Sequence, residues 1–116
     1  MYVIVWSFLP QLGREAEFER RYGAAGDWVT LFQEAPGYLG TDLFQEVDGS
    51  RRYLVVDRWQ SGSAYEAFRV ARCSEYKTLD DSCKALTISE ERVGNYVRIE
   101  PMPNTSSVGG SSVPET

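Results

Sequence analysis

The chain has 116 residues, 42% of them hydrophobic and 25% charged, with 17 acidic and 12 basic side chains, no histidine and a formal net charge of −5. That length supports one compact domain burying roughly two-thirds of its unfolded surface, with no room for a second. Dispersed basic residues within an acidic balance argue against nucleic acid or an anionic membrane as partner, since phosphates need a basic face.

Tyr2 to Phe8, YVIVWSF, is β-branched and aromatic and reads as a first strand, ended by Pro10. It carries no basic leader, no small-residue cleavage site and no run of about 18 apolar residues, so neither export nor membrane spanning is expected and the cytoplasm is the expected location. Phe18, Tyr22, Ala25, Trp28 and Phe32 then recur at helical spacing. Gly23 and Gly26 interrupt that pattern, which predicts a break, with Asp27 capping a fresh short helix through Gln33. Pro36 and Gly37 stop the helix, and Tyr38 to Val47 reads as a second strand closed by the Asp48-Gly49 turn signal. Arg52 to Trp59 returns as a third strand, making an antiparallel hairpin. Ser63 and Glu66 have the spacing of a capping box for the second helix. Its apolar face is Ala64, Ala67, Phe68 and Ala71 and, after a polar bend, Tyr76, Leu79, Cys83 and Leu86. Gly94 to Glu100 supplies a fourth strand, and residues 101–116 read as a disordered Ser/Gly/Pro-rich tail.

This order is the split βαβ arrangement of a ferredoxin-like α+β fold over residues 1–100, a four-stranded antiparallel sheet with two helices on one face. The crossover rule further suggests strands one and three as a central parallel pair, with Trp6 and Trp59 at one sheet edge, where ligands of open sheets collect. The first strand is apolar in both parities, with Tyr2, Ile4, Trp6 and Phe8 on one face and Val3 and Val5 on the other. Two helices cover a single face, so the second face predicts a homodimer.

Cys73 and Cys83 lie ten residues apart in one helical pattern, about 15 Å along its axis, too far for a disulfide. They read as reduced, small buried hydrophobes, and without histidine they make no zinc site. No phosphate loop, nucleophile elbow or metal-ligand cluster is present, so no bound nicotinamide, flavin or metal is implied.

Asp57 and Trp59 share one strand face, and Tyr65 sits in the first turn of the following helix. Trp6, Trp59 and Phe68 would wall a flat aromatic ligand, Asp57 would serve as base with its pKa lifted by burial, and Tyr65 would donate a hydrogen bond. The alternative for Asp57 is an ion pair with Arg52 or Arg69. Tyr22, Trp28 and Tyr76 face the sheet, and Trp28, beside the break at Gly26, would give such a pocket an adjustable mouth.

Four stretches, Asp27 to Phe44, Arg52 to Phe68, Glu75 to Cys83 and Leu86 to Tyr96, together resemble the antibiotic biosynthesis monooxygenase family of dimeric α/β barrels. The resemblance implies that fold and, in the branch that works without a cofactor, oxidation of anthrone-like or hydroquinone-like aromatic substrates by dioxygen. It places Trp59 and Tyr65 at that branch's pocket tryptophan and tyrosine, with Val55 where it has an asparagine and Leu79 near its arginine. The haem-degrading branch uses a histidine and a first-strand asparagine; this chain has no histidine and sets Trp6 at the asparagine position. An isomerase or cyclase using the same pocket, and a non-catalytic binding or stress-response module, are the other classes the pattern admits.

Overall fold

The computed structural model describes residues 1–101. Its elements run β1 (Tyr2–Pro10), α1 (Glu15–Tyr22), α2 (Asp27–Phe32), β2 (Tyr38–Gln45), β3 (Tyr53–Trp59), α3 (Gly62–Ala71), α4 (Cys73–Cys83), a 3₁₀ turn (Lys84–Leu86) and β4 (Thr87–Val97). The expected tail, apart from Pro101, lies outside the described residues. The strands form one antiparallel sheet in the order β2-β3-β1-β4, the ferredoxin-like fold. None of the helices described is long and apolar enough to cross a membrane.

β1 and β3 are the central pair but run antiparallel, which corrects the parallel pairing expected from the crossover rule. The crossover sets β2 parallel to β1 with one slot between them; β3, returning from the hairpin, fills that slot in the opposite direction. The consequence for the two indoles is direct. Trp6 pairs with Val55 and Trp59 pairs with Tyr2, so they lie four register steps apart, about 13 Å, rather than at one edge.

All inward positions of β3 (Tyr53, Val55, Asp57, Trp59) are buried, facing the helices together with Ile4 and Phe8. The opposite face pairs Val5 with Val56 and Ser7 with Leu54, leaving Val3, Val5, Leu54 and Val56 half-buried and Phe44 exposed.

The break between α1 and α2 falls where the glycines predict it, but the N-cap is Gly26 rather than Asp27. Asp27 begins the helix, its carboxylate 2.7 Å from the Arg21 guanidinium. At Gly26 the chain folds back onto α1, and a Cβ there would lie 2.4 Å from the Arg21 carbonyl oxygen and 2.5 Å from that of Arg20. The helix after β3 is capped by Ser61, whose hydroxyl accepts from the Ala64 amide at 3.1 Å, so the expected Ser63–Glu66 box does not form. The polar bend is Arg72, where α3 and α4 separate. Cys83 is buried as expected, but Cys73 is exposed, because the bend turns it outward; both thiols are free.

β4 begins seven residues before the expected start. Its first half, TISEER, is a charged edge strand, a composition that protects an edge from further pairing but hides it from a search for apolar runs. Val5 pairs with Gly94 and Trp6 with Arg92, so Val93 is the extra residue of a β-bulge.

Because the obstacle at Gly26 is rigid backbone, Gly26→Ala is expected to cost about 1–3 kcal/mol, the range for overpacking. Urea unfolding measures this; an unchanged midpoint would show that the α1–α2 corner relaxes freely.

Candidate functional site

Asp57 owes its position to the middle of the sheet. On β3 it faces the helices, between Ile4 of β1 on one side and Thr41 of β2 on the other. Only 6% of its surface is exposed, and burial lifts its carboxyl to a pKa of about 6, against a partial opposing effect of the hydrogen bond from Thr41. The Thr41 hydroxyl donates to Oδ1 at 2.7 Å, and Tyr38 Oη lies 2.6 Å from Thr41 Oγ1. Thr41 has one hydroxyl proton and gives it to Asp57, so Tyr38 is the donor to Thr41. Neither Arg52 nor Arg69 pairs with Asp57, contrary to the alternative weighed from sequence: Arg58 engages Asp42 at 3.1 Å, and Arg69 donates to Tyr65 Oη at 3.1 Å.

Asp57 lines a cleft between the sheet and the helices. Trp6 and Phe8 of β1, Tyr22 of α1, Trp28 and Phe32 of α2, and Tyr76 of α4 supply its aromatic walls. Val55 and Thr41 join Asp57 on the sheet side, and Asp80 and Glu90 complete the lining. The cleft holds about 40 Å³ of free space, and in its wall Trp28 meets Tyr76 edge-on at 5.1 Å between ring centroids. Trp28 Nε1 is buried with no well-formed hydrogen bond among the described residues, the Tyr22 phenol being its neighbour. Burial pushes the Tyr22 and Tyr76 phenols well above the ordinary range. Glu90 is raised by burial and then by Asp80, which Lys84 engages at 3.3 Å.

Of the residues singled out from sequence, Trp6, Trp28, Val55, Asp57 and Tyr76 meet in this cleft. Trp59, Tyr65 and Phe68 do not line it. Trp59 is fully buried beyond Phe32, edge-on to Phe32, Tyr38 and Tyr65 at 5.5, 5.2 and 5.4 Å. Two residues past Asp57, at the strand's end, Tyr65 and Phe68 of α3 join Phe32 of α2 in covering it, and so it packs as core. Leu79 is half-buried against the core, beside Tyr76 on α4. Sequence reasoning missed Thr41, Tyr38, Phe8, Phe32, Asp80 and Glu90 as members of the site or its support.

A family model described as antibiotic biosynthesis monooxygenase matches residues 1–72. The chain belongs to the antibiotic biosynthesis monooxygenase family. Within it, a curated heme oxygenase (mycobilin-producing) of Mycobacterium tuberculosis is 36% identical over 56 residues, 48% of this chain and 50% of that protein, so the chain spans about half the length of the curated relatives it matches. SnoaB, a cofactor-independent oxygenase from Streptomyces nogalater, superposes with a TM-score of 0.68 at 22% identity, over 89% of this chain and 97% of SnoaB. A MhuD mutant with two manganese protoporphyrin IX bound per active site superposes at 0.65 with 20% identity, over 90% and 100% of the two chains. At these identities the structural matches establish the shared fold. The family match itself covers β1 through α3, and therefore both Asp57 and Thr41.

An unfolded aspartate deprotonates near 3.8 and Asp57 near 6. Between those values the folded state holds the extra proton, so stability falls as pH rises from about 4 to about 6, and the full cost is present above that window. Asp57→Asn, which keeps an acceptor for Thr41, is therefore expected to stabilise the protein at pH 8 by on the order of 2–3 kcal/mol. At pH 4 it should change little. Urea unfolding at the two pH values checks this; equal effects at both would mean that Asp57 carries no buried charge.

Proposed function

We propose that the protein is a cofactor-independent monooxygenase that oxidises a small anthrone-like or hydroquinone-like aromatic substrate with dioxygen. The observation that carries the reading is a buried carboxylate of raised pKa, without a cationic partner among the described residues, on the floor of an aromatic-walled cleft. A base tuned near the working pH is what removal of a proton from an activated ring carbon or hydroxyl requires. Thr41 occupies Oδ1, which leaves Oδ2 for the substrate.

For an anthrone-like ring, Asp57 takes a proton from the methylene carbon, and the resulting carbanion passes one electron to dioxygen. The radical pair joins to a peroxide anion, which takes the proton back. Loss of water then leaves a ketone: one oxygen atom enters the product, the other leaves as water, and Asp57 is regenerated. The aromatic walls hold the ring flat, and exclusion of water protects the charged and radical species. Trp28 Nε1 is the available donor for a developing oxyanion. Trp59 and Tyr65 support this site through Phe32 instead of touching the substrate, a change from their expected catalytic roles.

Haem, which the name of the curated relative brings into question, does not fit these residues. The chain has no imidazole to bind its iron. The cleft phenols are pushed by burial away from the phenolate form that ligation needs. The lining sets three carboxylates and no basic side chain opposite its propionates. No step is assigned to it.

The outward sheet face supports a homodimer, with the surface around Val3, Val5, Leu54, Val56 and Phe44 as its interface. Sedimentation should show a dimer for the native chain and a monomer for Val56→Glu; a native monomer would remove this part of the reading.

The cleft's small enclosed volume is the one observation favouring a non-catalytic module, and a single experiment separates the two. Metal-free and flavin-free protein is expected to consume dioxygen with anthrones or hydroquinones above the spontaneous rate, with turnover rising through pH about 6 as Asp57 loses its proton. Asp57→Asn should lower turnover by 10²-fold or more. Uptake that is indifferent to Asp57→Asn would sink the base assignment, and no uptake across the panel would favour the binding module.

A further inference from the structure

Thr41 is the partition between two clefts. On one side lies the aromatic cleft with Asp57; on the other lies an open surface cleft of about 520 Å³, lined by Tyr38, Thr41, Asp42, Arg58 and Val29 among others. The hydrogen-bond chain from Tyr38 through Thr41 to Asp57 crosses this partition. We propose that Tyr38 is a positioning residue for Asp57, acting through Thr41, so that the basicity of the carboxylate is set partly from outside the substrate cleft. The inference rests on the reading of Asp57 as the base.

A threonine hydroxyl has one donor and can turn it towards any acceptor within reach. Because Tyr38 donates into Thr41 Oγ1, that oxygen's own proton is committed to Asp57 Oδ1. Asp57 is thereby held in one rotamer, with Oδ2 as its free oxygen. Donation into Thr41 also polarises its O–H bond and strengthens the second hydrogen bond, by about 10–30% in condensed-phase estimates. Tyr38 is itself held in place: its ring packs on Phe32 at 5.3 Å and on Trp59 at 5.2 Å. This gives the otherwise inaccessible Trp59 a part in the site, as the wall that fixes Tyr38. Outside, Arg58 and Asp42 are the charged groups facing the phenol, and their mutual ion pair leaves its hydroxyl free to point inward.

The magnitudes order the expected effects. Loss of a hydrogen bond to a charged carboxylate corresponds to roughly a tenfold or greater change in its ionisation equilibrium, whereas loss of the cooperative contribution alone corresponds to about twofold to threefold. Thr41→Val should therefore move the acid limb of the kcat profile to higher pH and lower turnover at pH 6 by about fivefold or more. Tyr38→Phe keeps the ring packing and should move the limb the same way, by about twofold to threefold, with KM unchanged. Thr41→Ser should restore the native profile.

The deciding comparison is the double variant, in which Tyr38→Phe should add nothing to Thr41→Val. The Asp57 carboxyl, followed by NMR in ligand-free protein, should titrate in the same order, so the proposal is tested even if no substrate turns over. Loss of activity in Asp57→Asn without any shift in Tyr38→Phe would overturn the positioning role and leave the base assignment standing. Additive effects in the double variant would overturn action through Thr41.

Discussion

The organisation of the molecule depends on keeping one carboxylate charged where water scarcely reaches. Asp57 is placed on a central strand, between an isoleucine and a threonine, beneath a layer of aromatic rings. An isolated buried charge is costly, and the usual remedy is an arginine. None is used for Asp57 among the described residues, although Arg58 follows it on β3 and Arg69 lies on α3; both are engaged elsewhere. One hydroxyl stands in for the ion pair. It satisfies the carboxylate in part and leaves the remainder as an elevated pKa, which a fully paired carboxylate would lose. Stability is given up at a single residue in return for a carboxylate that titrates near pH 6, a pattern that marks functional sites.

The two faces of the sheet divide the structural work. The inward face of β1 and β3 carries the core and the cleft, while the outward face carries smaller aliphatic side chains at half exposure. Along the inward face the aromatic rings fall into two groups that share Phe32. One, with Trp6, Tyr22, Trp28 and Tyr76, encloses Asp57; the other, with Trp59, Tyr65 and Phe68, anchors α3 to the end of β3. The antiparallel run of β3 against β1 separates them, since it sets the two strand-borne tryptophans four register steps apart.

Most of this was legible in the sequence where local chemistry decides the outcome. The glycine pair at 23 and 26 announced the helix break, and the period-2 pattern of Arg52 to Trp59 announced a strand buried on one face. The Asp48-Gly49 signal carried more than was taken from it. In the hairpin as formed, residues equally distant from Gly49 oppose each other from Gly40/Arg58 to Gln45/Tyr53, which pairs Thr41 with Asp57. The partner of the buried carboxylate was thus written in the turn position. What local chemistry could not supply was strand direction across a non-local pairing, and with it the separation of Trp6 from Trp59. Nor could it supply the first half of β4, which is charged and held by its neighbour β1 more than by its own β-forming character.

An enclosed volume of about 40 Å³ holds little more than solvent, whereas pockets for ring-sized ligands run to several hundred Å³. A ring can therefore reach Asp57 only if part of the enclosure moves. The sheet side is fixed by backbone pairing on both flanks of β3, and Tyr22 belongs to an aromatic stack with Phe8 and Phe18. α2 differs from both. It has six residues, no side-chain N-cap and a glycine at its start, and it brings Trp28 over the carboxylate against Tyr76. Outward rotation of α2 exchanges the Trp28–Tyr76 contact, worth about 0.5–1.5 kcal/mol beyond its buried area, for contacts with a bound ring of the same kind. Asp57 and Thr41, anchored on the sheet, keep their geometry throughout. The Trp28 wall and Asp57 thus lie on different layers of the fold, one on a six-residue helix and the other on a strand paired on both flanks, so movement of the first would leave the Thr41–Asp57 hydrogen bond intact.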